Sequence, residues 1–112
     1  MKKIFLFLII GFFAINLSNA QKIYKVDSKY DADIKVYSAN SKYDADLVVY
    51  KVNSKYDADK DGLWYFVDSK YDADFKVYFV DSKYDADLII YFADSKYDAE
   101  WRDKSKQHLL IK

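Results

Sequence analysis

Apolar and polar positions alternate along this chain. Val26, Ser28, Tyr30, Ala32, Ile34 and Val36 share one parity, and Asp27, Lys29, Asp31, Asp33 and Lys35 share the other. A period of two marks a half-buried strand, whereas an amphipathic helix needs apolar residues three and four apart. The parity then flips, because the next apolar set is Ala39, Tyr43, Ala45, Leu47 and Val49. A straight ladder cannot continue through such a flip, since a shift of one residue turns every side chain to the other face. The pattern predicts strands interrupted by a corner, bulge or crossover that resets the face.

The interruption recurs. Ser-Lys-Tyr-Asp-Ala-Asp occupies Ser28–Asp33, Ser41–Asp46, Ser54–Asp59, Ser69–Asp74 and Ser82–Asp87, and a sixth copy, Ser95–Glu100, ends in Glu. Successive copies lie 13, 13, 15, 13 and 13 residues apart. A Tyr opens each unit, at Tyr24, Tyr37, Tyr50, Tyr65, Tyr78 and Tyr91. The long middle spacing comes from Lys60-Asp61-Gly62-Leu63-Trp64, which divides the units into three and three, a pseudo-two-fold layout. An odd repeat length requires one face reset per unit. The Ser and the Asp or Asn before it are the natural place for the reset, because these side chains bond nearby backbone. Asp61-Gly62 is the one good hairpin signal. The expected fold is therefore all-β and compact, built from long bent strands that pair with partners distant in sequence.

Composition narrows the chemistry. There is no Cys, so disulfides, thiolate metal sites and Cys nucleophiles are excluded. Eighteen basic residues balance eighteen acidic ones, which gives no electrostatic case for nucleic acid or an anionic membrane. Twelve Tyr and eight Phe argue for an ordered β domain rather than a disordered chain. Met1–Ala20 reads differently from the rest. Lys2 and Lys3 precede an apolar run from Ile4 to Ile15, and Ser18-Asn19-Ala20 supplies the small residues of a cleavage site. That is the layout of a secretory signal peptide. The apolar run is about 12 residues, short of the roughly 20 needed to span a bilayer. Cleavage between Ala20 and Gln21 would release residues 21–112, slightly acidic without Lys2 and Lys3, to the periplasm or medium, with no membrane attachment.

Ligand chemistry is weighed against the repeat. Asp57-Ala58-Asp59-Lys60-Asp61-Gly62 has the D-x-D-x-D-G form of a calcium loop, with Asp68 at the twelfth position. Alternating carboxylates with a Gly at the sharp turn suit Ca²⁺. Asp57, Asp59 and Asp68 are also ordinary repeat residues, and only Asp61 and Gly62 are new. His108 is the single His and lies in the tail. No carboxylate pair stands out from its copies, so no catalytic residue is assigned. Trp64, Trp101 and Arg102 interrupt the repeat and are the binding candidates, toward a protein or glycan partner. The competing reading makes both Trp side chains caps of the core. Arg102–Lys112 is expected to close the structure as a short strand or helix.

The tandem units, the Tyr-x-Val-Asp between them, the central Asp-Gly-x-Trp and the Trp-Arg-x-Lys-Ser-Lys-x-His ending resemble the septoil-knot domain family. Those are small bacterial β proteins whose backbone forms a seven-crossing torus knot, 7(1). The resemblance covers Gln21–Lys112, with Asn40, Asn53, Lys60 and Glu100 as departures. It implies a domain, residues 21–112, whose successive repeats wind around one another, and it brings no enzymatic activity. The resulting expectation is an exported structural or binding domain made kinetically stable by its topology. The alternative is a Ca²⁺-dependent or carbohydrate-binding module at the central insertion.

Overall fold

Each unit splits in two according to what its side chains can bond. Ser, Lys, Tyr and Asp fold locally, while the apolar residues before the opening Tyr find partners only at a distance. In the computed structural model, which describes residues 21–111, every motif contains a single 3₁₀ turn over its Lys-Tyr-Asp. The expected signal peptide, Met1–Ala20, lies outside those residues. In the first motif, Ser28 caps the turn: its Oγ accepts the Tyr30 N–H at 3.2 Å and its carbonyl accepts the Asp31 N–H at 3.1 Å. The other five serines repeat the Oγ contact at 3.2 Å. These turns are the face resets that the odd repeat length requires.

The strands are accordingly shorter than the alternation suggests. They are β1 Lys22–Lys25, β2 Ile34–Ser38, β3 Leu47–Lys51, β4 Leu63–Phe66, β5 Phe75–Phe79, β6 Leu88–Phe92 and β7 Glu100–Trp101. The motif does not extend them, because the Ser hydroxyl offers its backbone a local alternative to the ladder. Tyr30, on the apolar parity in the sequence, is instead 86% exposed.

Strands β1 to β6 are parallel to their neighbours and lie in the order β4-β1-β5-β2-β6-β3, with β3 also paired to β4. The sheet thus closes into a six-stranded barrel. β1, β2 and β3 take alternate places, and β4, β5 and β6 fill the gaps between them. β7 adds antiparallel to β3, against Leu47 and Val48. Pairing with distant strands is as the sequence suggests. The Asp61-Gly62 hairpin is not formed: β3 and β4 on either side of it run parallel, with Tyr50 aligned to Leu63. Gly62 adopts φ of 92°, a turn that leads into a parallel strand.

Register explains how parallel strands connect without helices. Phe75 aligns with Ile23 of β1, and Val77, two residues on, aligns with Ile34 of β2. Val36 then aligns with Leu88, and Ile90 with Leu47. Round six strands the offset reaches about twelve residues, a stagger that tilts the strands steeply to the barrel axis. Advancing along a strand therefore also carries the chain round the barrel, and one short turn suffices to reach the next strand.

The stagger stacks the interior in layers. The residues before the six opening tyrosines, Ile23, Val36, Val49, Trp64, Val77 and Ile90, are all fully buried. Ile34, Leu47, Phe75 and Leu88 form most of the next layer, and Gln21 and Gly62 occupy its two remaining places. Beyond the first layer, Phe66, Phe79 and Phe92 pack on the core, with the Trp64 and Phe66 rings edge-on at 6.2 Å. The tail closes the structure as a 3₁₀ helix, Lys104–Leu110, which buries Leu110. Each large apolar side chain so buried contributes about 1.5–3 kcal/mol.

The last Asp of the motif ties the turn to a strand far away in sequence. The Asp33 N–H donates to the Lys76 carbonyl at 2.7 Å, and the Lys76 N–H donates back to Asp33 Oδ2 at 2.8 Å. Asp46 makes the same pair of bonds with Ile89, Asp74 with Lys22 and Asp87 with Lys35. Lys–Asp ion pairs between motif copies do not carry this role. Among the described residues one ion pair lies within 4.0 Å, Lys106 Nζ to Asp46 Oδ2 at 3.1 Å. Asp87→Ala is expected to lower unfolding free energy by about 1 kcal/mol through the lost acceptor. Asp85→Ala, two residues earlier, should shift it by less than about 0.5 kcal/mol. Denaturant midpoints of the two variants test this difference.

Candidate functional site

Two regions break away from the barrel's structural duties or from its repetition. One is the surface of the motif turns. The other is the insertion around Gly62.

At the insertion the sequence candidates are drawn into the framework. Trp64, a binding candidate, is completely buried and presents no face to solvent. Its indole N–H donates to Gln21 Oε1 at 2.8 Å, and the Gly62 N–H donates to the same oxygen at 3.0 Å. Gln21 Nε2 donates to Asp61 Oδ1 at 2.8 Å, and the Trp101 indole N–H donates to Asp61 Oδ2 at 2.7 Å. One carboxylate thus joins the first described residue, the insertion and the last strand. Gly62 is needed there: a Cβ would meet the Val48 carbonyl at 2.9 Å.

This arrangement separates the proposed calcium ligands. Both Asp61 oxygens face protein donors, Asp57 and Asp59 line one surface groove, and Asp68 lines another. Among the described residues no three His, Cys, Asp or Glu side chains are grouped to hold a metal ion. Asp61 is taken up by the Gln21 amide and the Trp101 indole, and Asp68 follows only after β4. Trp101 is half-buried, and Arg102 is exposed with its guanidinium 5.4 Å from the centre of the Tyr43 ring. His108 is exposed, with Nδ1 3.1 Å from the Ser105 carbonyl. At the start of the tail helix, the Ser105 hydroxyl and N–H both donate to Asp103 Oδ1 and hold its carboxyl below the usual range. That cap is complete above the ordinary carboxylate pKa and is lost as pH falls through the depressed one.

The turns present the larger surface. Tyr30, Tyr43, Tyr56, Tyr71, Tyr84 and Tyr97 are between 74% and 87% exposed. The preceding Lys of each motif lies over its ring, with Nζ 5.4–5.6 Å from the centroid. Such a contact orients the ring and contributes about 0.5–1 kcal/mol at an exposed site. The opening tyrosines are half-buried and form the floor beside them.

Between turns run grooves of one design. The first is lined by Tyr24, Val26, Asp27, Asp31 and Asp33, with Lys70 from another unit. A second has Tyr50, Val52, Asn53, Asp57 and Asp59, with Lys96. A third has Tyr78, Val80, Asp81, Asp85 and Asp87, with Lys29. Grooves beside Tyr37 and Tyr65 share the plan. Their volumes, 340–540 Å³, fall in the range of small-ligand sites. The sequence candidates missed these grooves because they were sought where the repeat is broken. The available signal was a bulky aromatic repeated at a position that the turn exposes.

The fold and surface together define a closed, parallel β-barrel domain carrying copies of one aromatic groove. Residues 20–102 match the 7(1) septoil knot domain, and the chain belongs to that family. The tail from Asp103 onward lies beyond the match. No curated protein matches the chain.

The Asp61 contacts give a direct test. Asp61→Ala leaves the Gln21 amide and the Trp101 indole without their acceptor and should cost about 2–4 kcal/mol of stability. Asp57→Ala and Asp59→Ala should each change it by less than about 0.5 kcal/mol. Equilibrium unfolding followed by Trp fluorescence measures all three.

Proposed function

We propose that the protein is exported and acts outside the cytoplasm as a non-catalytic binding domain, held in shape by its interleaved barrel. The observation that carries this reading is the set of six motif tyrosines, 74–87% exposed in turns of the same geometry. Tyrosine rings repeated at one exposed position are suited to contact with a ligand. Five of the eighteen acidic side chains are committed to the framework. Asp33, Asp46, Asp74 and Asp87 accept backbone N–H groups, and Asp61 holds Gln21 and Trp101.

Durability follows from the strand order. β1 lies between β4 and β5, and Ile23 is aligned with both Phe66 and Phe75. A strand cannot leave without parting from neighbours some forty to fifty residues away in sequence, which themselves lie between others. Non-local pairing of this kind slows folding, and the interleaving of the strands is what we propose slows unfolding. It also supplies robustness outside the cell without disulfides, since the chain has no Cys.

Unfolding after a jump into strong guanidinium should take minutes to hours, and the native protein should resist protease over the same period. Complete unfolding within seconds would contradict the durable scaffold. Amino-terminal sequencing of protein recovered from the periplasm or medium should begin at Gln21. Protein that stays in the cytoplasm with Met1 attached would contradict export.

A further inference from the structure

The grooves repeat, and what repeats on a surface is matched most directly by a ligand that repeats. We infer that the tyrosine grooves are successive subsites for a neutral polysaccharide. This rests on the reading of the domain as a binding module and specifies its ligand class.

The chemistry of one groove fits a sugar. An exposed ring such as Tyr30 offers a flat apolar face, on which the C–H face of a pyranose can stack. Asp27 and Asp31 stand beside it in the same groove as hydroxyl acceptors, and Lys70 reaches in as a donor. Tyr24 and Val26 supply the apolar floor. The other grooves repeat the floor and the polar groups, with Asn40 or Asn53 in the place of Asp27 in two of them, and their exposed ring is Tyr84, Tyr97 or Tyr56, in three of them from a different unit.

Charge selects among polymers. Each groove combines lysines with carboxylates, as Lys29 and Lys35 face Asp81, Asp85 and Asp87 in one, so none carries a positive excess to attract a polyanion. Nucleic acids and acidic polysaccharides are thereby disfavoured. A folded protein partner is disfavoured by repetition, because its surface does not recur at a fixed step, whereas the sugar units of a polymer do.

The units themselves add an independent argument. The strand segments differ from copy to copy: Ile34-Lys35-Val36, Leu47-Val48-Val49, Phe75-Lys76-Val77 and Leu88-Ile89-Ile90. The Lys-Tyr-Asp of the turn is the same in all six. The Ser is accounted for by its cap and the final Asp by its bonds to a distant strand. An exposed Tyr is needed by neither. Its retention beside strands that have diverged is the mark of a surface in use.

Affinity electrophoresis of the exported protein tests the inference, with gels containing α-glucan, β-glucan, mannan, xylan or the polyanion heparin. At least one neutral polymer should retard the protein, and heparin should not. Replacing Tyr30, Tyr84 and then all six motif tyrosines by Ala should weaken retardation stepwise, about threefold to tenfold per ring engaged. Tyr→Phe replacements should keep most of it. Unchanged circular dichroism and Trp64 fluorescence would show that the variants are folded. Failure of every neutral polymer to retard the folded protein overturns the inference. So does preferential binding of heparin, undiminished retardation without the six rings, or complete loss on removing one. A protein that proves durable and exported yet ignores every polymer loses this inference while the proposed function stands. One that binds a polymer but unfolds in seconds loses only its durable scaffold.

Discussion

The structure depends on a pair of hydrogen bonds between the last Asp of a motif and the backbone of a strand about forty to fifty residues away. In the Asp33–Lys76 case the two groups exchange bonds at 2.7 and 2.8 Å, and three other motifs do the same. A parallel barrel without helices has a difficulty that these bonds resolve. Each connection leaves its strand ends unpaired, and buried backbone groups must find partners. The final Asp supplies both a donor, its own N–H, and an acceptor, its carboxylate, at the place where the next strand begins. The backbone N–H two residues after each opening Tyr completes the ladder, from Val26 to Val77 through Ala93 to Val49, at 2.7–2.9 Å. Local turn formation by Ser and remote pairing by Asp are thus two halves of one device.

The central insertion has the complementary task of closing the ring. Asp59 stands where its equivalents in four other units bond a distant strand, but the chain bends away through Lys60–Gly62. Gly62 takes a place in the inner layer where other units carry Ile, Leu or Phe, and Gln21 takes another. A polar Gln inside an apolar barrel is costly unless fully bonded. It is: its oxygen accepts from Gly62 and Trp64, and its nitrogen donates to Asp61. No buried side-chain polar atom among the described residues lacks a partner. Asp61 and Gly62 of the insertion thereby form the seam of the barrel.

Much of this was legible in the chain. The odd repeat length required a face reset per unit, and the Ser caps provide it. The lack of turn residues between units implied distant pairing, and the barrel is paired that way. The family resemblance carried the fold class further than periodicity could. Alternation misled at Tyr30, because parity cannot distinguish a strand from a turn whose Ser bonds its own backbone. Asp61-Gly62 misled because a Gly with positive φ serves a parallel re-entry as readily as a hairpin. The Gln21, Asp61 and Trp101 contacts were not legible: they join residues forty apart, and no local pattern encodes such a meeting. Trp64 was visible as an asymmetry, yet its place in the layer of Ile23, Val36, Val49, Val77 and Ile90 appears only when units are aligned on the residue before each opening Tyr.

Function is therefore better sought in what the fold leaves unexplained than in what breaks its symmetry. The two indoles and the insertion carboxylate are used up in closing the barrel. Ser and the final Asp are used up in building it. What remains constant without a structural requirement is the Lys-Tyr pair on the outside of each turn, where the ammonium lies over the ring and the ring faces water. Removing such a pair would cost the barrel little, because neither side chain is buried, so the scaffold does not require six identical copies. The same strand order that lets parallel strands follow one another without helices also brings one such turn to each connection between units. In that sense the barrel geometry determines the spacing that a repeating ligand would have to match.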